Sequence, residues 1–169
     1  PDVGVFLNLS HNHLERHGTM ERYFAAKQNL FTRQDAEDRA VSNIDDDWGR
    51  RLAETAQGKR LVICRAGGPG EQWVAQSLNR AAGAARIHFF PERGEDRIEV
   101  VQDGTTEWYD LSAVALLGLH NRYDIAASLL AARALGATHE GCERALAAFR
   151  PLEHRLETVL DTAERVVIN

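Results

Sequence analysis

Residues 3–31 read VGVFLNLSHNHLERHGTMERYFAAKQNLF, and this stretch indicates the class of fold. Residues 3–7 are an apolar run typical of a buried strand, and the polar residues after it suit the carboxyl end of a central strand. A helix is predicted over residues 20–31, because Thr19 is a favourable N-cap and the acidic Glu21 lies in the first turn. The stretch therefore predicts a strand that is followed by a helix.

The chain repeats this alternation further on. Strands are predicted over residues 39–43 and 59–64, and the helix between them begins at the acidic run Asp45-Asp46-Asp47 and ends near residue 55. The order strand, helix, strand, helix, strand favours an α/β fold, in which crossover helices join the strands of a mostly parallel sheet.

The second half of the chain is less regular. A helix is predicted over residues 71–82, followed by a meander of small strands that extends the sheet edge, at residues 87–90, 98–101 and 106–109. Two more helices are predicted. The first covers residues 121–135 and is terminated by Gly136, and the second begins near Thr138 and is terminated by Pro151.

The last residues are predicted to start a second domain. Residues 155–160 and 166–169 are interpreted as two strands joined by a polar turn. The predicted boundary at Pro151-Leu152-Glu153 assigns residues 1–152 to one domain and residues 153–169 to the beginning of the next. Because the chain begins at Pro1 without an initiator Met and ends in an apolar run, we interpret it as a fragment of a longer protein.

The composition excludes several classes of partner. Hydrophobic residues make up 44% of the chain and charged residues 27%, which is typical of a folded domain. The net charge of −5 leaves no broad basic surface for nucleic acid, and no run approaches the roughly 20 apolar residues of a membrane helix. Cys64 and Cys142 form no CxxC pair, so we expect two buried, reduced thiols in a cytosolic protein, with a single disulfide as the alternative.

Lys27 is the strongest local anomaly in the sequence. It falls within an apolar stripe of the predicted helix that has a period of 3.6 residues and consists of Met20, Tyr23, Phe24, Lys27, Leu30 and Phe31. An ammonium buried there is costly unless it is paired or chemically altered. In the alternative interpretation, the stem packs against the core and the charge reaches water.

Other polar segments are candidates for binding. Three histidines (His11, His13 and His17) lie in the loop after the first strand. At such a strand end imidazoles can bind a metal or a phosphate, and the alternative is an exposed loop that happens to be rich in histidine. The segment 67–70, GGPG, is interpreted as a turn, because it lacks the pattern of a phosphate loop. His120-Asn121 opens a helix, where the exposed amide of Asn121 either caps the helix or contacts a purine edge. Arg155 either binds a phosphate or forms an interdomain ion pair.

Residues 8–27, NLSHNHLERHGTMERYFAAK, resemble the long signature of the Mur ligases of peptidoglycan synthesis. Residues 117–121 and 152–157 are similar to elements of the branch of this family that adds D-glutamate. The resemblance implies the three-layer α/β fold of the central ATP-binding domain, followed by the first strands of a Rossmann-like C-terminal domain. It also implies a cytoplasmic, monomeric enzyme that uses ATP and Mg²⁺ to join D-glutamate to UDP-N-acetylmuramoyl-L-alanine through an acyl phosphate.

The resemblance also implies roles for individual residues. Lys27 matches a lysine that CO₂ converts into a carbamate ligand of magnesium, which would explain a lysine in an apolar stripe. His13 matches a histidine ligand of the second magnesium ion. Asn121, beside His120, matches the residue that contacts adenine, and Arg155 matches an arginine near the ATP phosphates.

One departure from the family pattern leaves alternatives open. Asn12 replaces an Asp before His13, which removes a negative charge beside the proposed ligand. The family's P-loop, upstream magnesium ligand and UDP-binding domain are expected outside these residues, so the fragment alone is expected to be inactive. The alternatives are a diamino-acid-adding Mur ligase, a folylpolyglutamate synthase-like ligase and a non-catalytic nucleotide-binding subunit.

Overall fold

A computed structural model of the chain contains one six-stranded sheet in the order β1-β2-β3-β4-β5-β6. It describes residues 1–11, 14–77, 81–90, 95–114, 116, 118–150, 158–161 and 166–168. The strands are β1 Val3–Phe6, β2 Arg39–Asn43, β3 Lys59–Arg65, β4 Ala81–His88, β5 Arg97–Gln102 and β6 Thr105–Asp110. Strands β1 to β4 are parallel, and β4, β5 and β6 are antiparallel. The predicted α/β fold with an antiparallel extension is therefore confirmed.

The helices lie between and after these strands. They are α1 Leu14–His17, α2 Met20–Gln28, α3 Asp47–Thr55, α4 Pro69–Ser77, α5 Leu119–Ala134 and α6 His139–Ala148. The predicted N-cap is confirmed at Thr19, and Thr138 is the N-cap of the helix that was predicted to begin near it. Both side chains accept hydrogen bonds from backbone amides in the first turns of α2 and α6. Gly136 follows α5 with φ +89°, a backbone conformation that favours glycine at the end of a helix.

The sheet has a helical layer on each face, as the three-layer fold requires. On one face, α5 and α6 cover apolar side chains such as Val41, Leu61 and Ile63. On the other face, side chains of α2, α3 and α4 form two apolar clusters with the strands, around Phe24 and around Val62. Because successive residues of a strand point to opposite faces, β3 contributes to the core on both sides.

The predicted helix over residues 71–82 is wrong at its carboxyl end. Helix α4 spans Pro69–Ser77, and Ala81–His88 form β4, which pairs in parallel with β3. The alanines favour a helix intrinsically, but the position between β3 and β5 determines their conformation. A Cβ at Gly83 would lie 2.9 Å from the Val101 carbonyl oxygen, so the segment needs small residues to pack there. The predicted strand over residues 87–90 overlaps only the carboxyl end of β4, whereas the strands predicted over 98–101 and 106–109 lie within β5 and β6. The antiparallel meander therefore consists of β4, β5 and β6.

The carboxyl-terminal strands form a separate two-stranded sheet. Strand β7, Thr158–Asp161, pairs antiparallel with β8, Val166–Ile168, which confirms the two predicted strands. The predicted domain boundary at residues 152 and 153 lies outside the described residues and stays a prediction.

The cysteines agree with the expectation of two buried, reduced thiols. Cys64 and Cys142 are free and buried. Burial, reinforced by the Asp45 carboxylate, raises the pKa of the Cys64 thiol to about 12, so this thiol is protonated at neutral pH. Within the described residues, every helix is too short or too polar to cross a lipid bilayer.

Candidate functional site

The carboxyl ends of β1, β2 and β3 lie at the same edge of the sheet, because these strands are parallel. This edge is where open α/β sheets bind ligands. The loop after β2 carries Asp45 to this edge, and the turn after β3 together with the start of α4 carries Gly67 to Gly70. A ligand is therefore expected at this edge of the sheet.

Asp45 connects three segments at this edge. Its carboxylate accepts hydrogen bonds from the Arg65 amide at 2.6 Å, the Gly70 amide at 2.8 Å and the Tyr123 hydroxyl at 2.6 Å. Burial and the hydrogen bond to Asp45 raise the pKa of the Tyr123 phenol well above its ordinary value, so the phenol remains a donor. Asp45 thus joins the end of β2 to the end of β3 and to α5.

The glycine-rich segment is the predicted turn only in its first half, because Gly67 and Gly68 lie in a turn whereas Pro69 and Gly70 begin α4. The Gly67 amide donates to Glu71 Oε2 at 2.7 Å, and the Gly70 amide donates to Asp45 Oδ1. A Cβ at Gly70 would lie 2.8 Å from the same Asp45 oxygen, so the close approach of the carboxylate requires glycine there. Both amides already bind carboxylates of the chain, which argues against a phosphate at this position.

The first turn of α5 carries two of the predicted site residues. Gly118 precedes the helix with φ +90°, His120 is exposed, and Asn121 is buried with 9% of its surface exposed. Because the N-cap position belongs to Gly118, the interpretation of Asn121 as a cap is wrong. Its expected exposure is also wrong, because Asn121 lies within the first turn against the rest of the protein.

A buried ion pair holds this turn against the antiparallel part of the sheet. The Arg122 guanidinium donates to Asp96 Oδ2 at 2.8 Å and to the Leu116 carbonyl oxygen at 2.8 Å. The other Asp96 oxygen accepts a hydrogen bond from the Phe90 amide at 2.9 Å. Both charged side chains are 7% exposed, so each depends on the other for compensation of its charge.

Lys27 is exposed, so its predicted place in a buried stripe is wrong. Helix α2 ends at Gln28, and Leu30 and Phe31 follow in turns rather than on the helix. Phe24 and Phe31 are buried, whereas Leu30 is 50% exposed. The Lys27 ammonium reaches the surface over the Tyr23 ring, with Nζ 5.5 Å from the ring centre, which agrees with the alternative interpretation.

Lys27 opens onto a cleft between α1 and α2. The cleft has a volume of about 350 Å³ and is lined by Arg16, His17, Tyr23, Ala26 and Lys27. The His17 imidazole stacks on the Tyr23 ring, with 4.7 Å between the ring centres and 16° between the planes. Arg16 and Lys27 make the described lining cationic, which favours an anion.

The described lining does not fit Mg²⁺ while Lys27 is an amine. Magnesium takes oxygen ligands, and these residues offer a guanidinium and an ammonium instead. No group of three or more His, Cys, Asp or Glu side chains suited to a metal occurs within the described ranges. An anionic oxygen ligand for magnesium would arise in this lining only if Lys27 were chemically modified.

Some of the predicted site residues lie within the described part of the chain and others do not. His120 and Asn121 lie together at the start of α5, and Lys27 lies at the end of α2. His13, Asn12 and Arg155 lie outside the described residues, so their roles stay predictions.

The sequence interpretation missed the residues that organise this edge. Asp45 was assigned to the acidic first turn of a helix, but α3 begins at Asp47 with Asp46 as its N-cap. The position of Asp45 directly after a parallel strand was the available signal. No signal in the sequence paired Asp45 with Tyr123, which is 78 residues away.

The family of the chain follows from comparison with known sequences. The sequence model of the Mur ligase middle domain matches residues 1–132. The chain therefore belongs to the Mur ligase family, as the resemblance of residues 8–27 predicts.

Individual relatives are similar over nearly the whole chain. UDP-N-acetylmuramoylalanine--D-glutamate ligase of Phenylobacterium zucineum is 37% identical over 161 residues, which cover 94% of this chain and 31% of that protein. The ligase of the same name from Acidobacterium capsulatum is 33% identical, over 95% of this chain and 32% of its own length. The chain thus spans about a third of the length of these relatives.

Solved structures of the family share the fold. MurF from Acinetobacter baumannii superposes with a TM-score of 0.65 at 19% identity, covering 99% of this chain and 33% of that protein. MurF from Thermotoga maritima in complex with ADP gives 0.64 at 22% identity, covering 99% and 35%. At these identities the likeness confirms the three-layer α/β fold and nothing finer.

Proposed function

We propose that the chain is part of an ATP-dependent ligase that joins D-glutamate to UDP-N-acetylmuramoyl-L-alanine in peptidoglycan synthesis. The observation that carries this proposal is the 33–37% identity to D-glutamate ligases over at least 94% of the chain. The motif of residues 8–27, shared with the wider family, and the D-glutamate-type segments 117–121 and 152–157 support the same assignment.

The proposed reaction balances through an acyl phosphate. The carboxylate of UDP-N-acetylmuramoyl-L-alanine attacks the γ-phosphorus of ATP, and ADP leaves. The amine of D-glutamate then attacks the acyl carbon, the amide bond forms, and phosphate leaves with loss of the amine proton. Because the first step brings two anions together, it needs positive charge close to the reacting groups.

The cleft of α1 and α2 is the described feature that suits this need, because the guanidinium of Arg16 supplies a permanent positive charge there. Arg16 lines it beside Lys27, and its guanidinium is a stable donor to carboxylate or phosphate oxygens. We assign to Arg16 the attraction and orientation of an anionic group at the mouth of the cleft.

We further propose that Lys27 acts as a carbamate. Its amine is exposed, so CO₂ can reach it, and attack by the neutral amine on CO₂ forms a carbamate with loss of one proton. The carbamate and His13 would hold Mg²⁺, which supplies positive charge to the phosphate oxygens when bound. Conversion of the amine replaces a cation of the cleft with the anionic oxygen ligand that the unmodified lining lacks.

The nucleotide is assigned to the sheet edge beside α5. Asn121, with His120 next to it, is proposed to contact adenine, and Arg155 to contact the phosphates. The position of the first turn of α5 near the carboxyl ends of β2 and β3 supports this assignment, because Tyr123 of the same turn bonds to Asp45 there.

The remaining assignments concern the whole protein. Residues 1–152 are proposed to belong to the central ATP-binding domain and residues 153–169 to the start of the C-terminal domain. ATP and a UDP-linked substrate place the reaction in the cytoplasm, where we expect the enzyme to act as a monomer.

One observation favours a second candidate, a nucleotide-binding subunit without catalysis. Asn12 takes the place of an Asp beside the proposed ligand His13, and the loss of this charge weakens any control of the imidazole orientation.

The test is a product assay with the full-length protein. The protein is incubated with ATP, Mg²⁺ and one of two substrate sets, and both phosphate and the amide product are measured. One set is UDP-N-acetylmuramoyl-L-alanine with D-glutamate, and the other is UDP-N-acetylmuramoyl-L-alanyl-D-glutamate with meso-diaminopimelate or L-lysine. Product with D-glutamate alone supports the proposal. Product with a diamino acid instead contradicts it, and ATP binding without product with any of the three favours the non-catalytic subunit.

A further inference from the structure

Two side-chain interactions hold the start of α5, at the two residues that follow Asn121. Arg122 bonds to Asp96 of the antiparallel part of the sheet, and Tyr123 bonds to Asp45 at the carboxyl end of β2. Asn121 directly precedes these two anchors in the chain. Its position relative to the sheet edge therefore depends on both.

Of these two interactions, the hydrogen bond between Tyr123 and Asp45 lies at the sheet edge where ligands are expected. The Asp45 carboxylate is fixed by two backbone amides, those of Arg65 and Gly70, before Tyr123 adds a third hydrogen bond. A carboxylate held in this way cannot turn without breaking these bonds. The phenol of Tyr123 consequently meets an acceptor in a fixed place.

We infer that Tyr123 and Asp45 are positioning residues for nucleotide binding, which fix the first turn of α5 so that Asn121 meets the adenine. The inference rests on the proposed function, because it takes the adenine contact of Asn121 from there. Neither Tyr123 nor Asp45 needs to touch the nucleotide for this effect.

The chain offers a matched control at the other end of α5. Tyr109 is fully buried and donates to Glu107 at 2.8 Å, and Glu107 in turn binds Arg133 in the last turn of α5. Each tyrosine thus bonds to a carboxylate that is linked to α5, one near its start and one near its end. The removal of either hydroxyl deletes a similar hydrogen bond, but only Tyr123 lies beside Asn121.

The experiment compares Tyr123→Phe with Tyr109→Phe in the full-length protein. Calorimetric titration with ADP, steady-state kinetics with ATP and thermal unfolding are measured for both variants and for wild type. Tyr123→Phe is expected to raise the KM for ATP and the Kd for ADP about three- to tenfold, since one hydrogen bond has about this value. The kcat and the KM for D-glutamate are expected to stay within about twofold, and Tyr109→Phe is expected to change Tm without changing the KM for ATP.

A second variant keeps the test decisive if Tyr123→Phe unfolds. Asp45→Asn alone is then compared with wild type and is expected to weaken ADP binding in the same direction, and equal ADP affinity in wild type and Asp45→Asn overturns the inference. Where Tyr123→Phe folds, its addition to Asp45→Asn is expected to have no further effect. Equal nucleotide affinity in wild type and Tyr123→Phe, or an equal loss in Tyr109→Phe, overturns the inference while leaving the proposed function intact. A wild-type protein that binds neither ATP nor ADP overturns both.

Discussion

The Lys27 ammonium lies over the Tyr23 ring, with Nζ 5.5 Å from the ring centre, at the exposed end of α2. A cation in this place gains only a modest interaction with the ring and remains in contact with water. Its amine is therefore available to CO₂, whereas an amine enclosed in the core is not. The Tyr23 ring also stacks on the His17 imidazole, and these two rings form one wall of the cleft that Lys27 lines.

Replacement of Asn121 by Ala in the full-length protein is expected to raise the KM for ATP about tenfold, because a hydrogen bond to adenine is lost. The KM for D-glutamate is expected to stay within about twofold. Steady-state kinetics with each substrate varied in turn measure the effect. Asn29→Ala is the matched control, since Asn29 is exposed at the end of α2. An unchanged KM for ATP would remove the adenine contact from the account.

Replacement of Arg122 by Met is expected to lower the free energy of unfolding by about 3–5 kcal/mol, because it leaves the Asp96 carboxylate buried without a counter-charge. Urea unfolding of the full-length protein, followed by tryptophan fluorescence, measures the loss. The addition of Asp96→Asn to Arg122→Met is expected to recover part of it, since the amide carries no charge. A loss below about 1 kcal/mol for Arg122→Met would show that the pair contributes no more than an exposed ion pair.

The raised pKa of the Cys64 thiol predicts how the stability of the protein depends on pH. Its pKa is raised to about 12 in the folded protein, whereas an unfolded thiol titrates at about 8.5. The unfolded state therefore loses its proton first as the pH rises, and stability that is present below about pH 8.5 is lost progressively above it. Tyr109 and Tyr123 act in the same direction at higher pH, because burial and their carboxylate partners raise the pKa of each phenol.

Urea unfolding between pH 8 and pH 10 tests this expectation when Cys64→Ala is compared with wild type. The variant is expected to be less stable at pH 8, because it loses buried volume, but to lose less stability as the pH rises. Parallel pH profiles for the two proteins would mean that Cys64 titrates normally in the folded state.

The order of helices and strands was predictable because it depends on local patterns. The caps Thr19 and Thr138 and the terminating Gly136 mark helix ends through their own side chains or backbone freedom. β4 was not predictable in this way. Its run of alanines favours a helix locally, and only its place between two other strands determines its extended form.

The error at Lys27 has a similar cause. The apolar period from Met20 to Phe31 treats the whole stretch as one helix, but α2 ends at Gln28. Phe31 reaches the core through a turn and packs against β1, where a Cβ at Gly4 would lie 2.7 Å from its ring. Its burial therefore gives no information about the face of α2 on which Lys27 lies.

The candidate site was predictable only in part. The motif of residues 8–27 identifies Lys27 and His13 by resemblance, and the strand pattern predicts the ligand edge of the sheet. The bond between Tyr123 and Asp45 was not predictable, because it joins residues on elements that meet only in the folded sheet.

The most direct test of the account is the activity of Lys27→Ala in the full-length protein, with Lys59→Ala as the control at another surface lysine. Formation of UDP-N-acetylmuramoyl-L-alanyl-D-glutamate is measured with and without added formate or acetate. The account predicts no detectable product for Lys27→Ala, partial recovery with the short carboxylates, and normal product for Lys59→Ala. Turnover at the wild-type rate in Lys27→Ala would contradict the claim that Lys27 serves as a carbamate in this ligase.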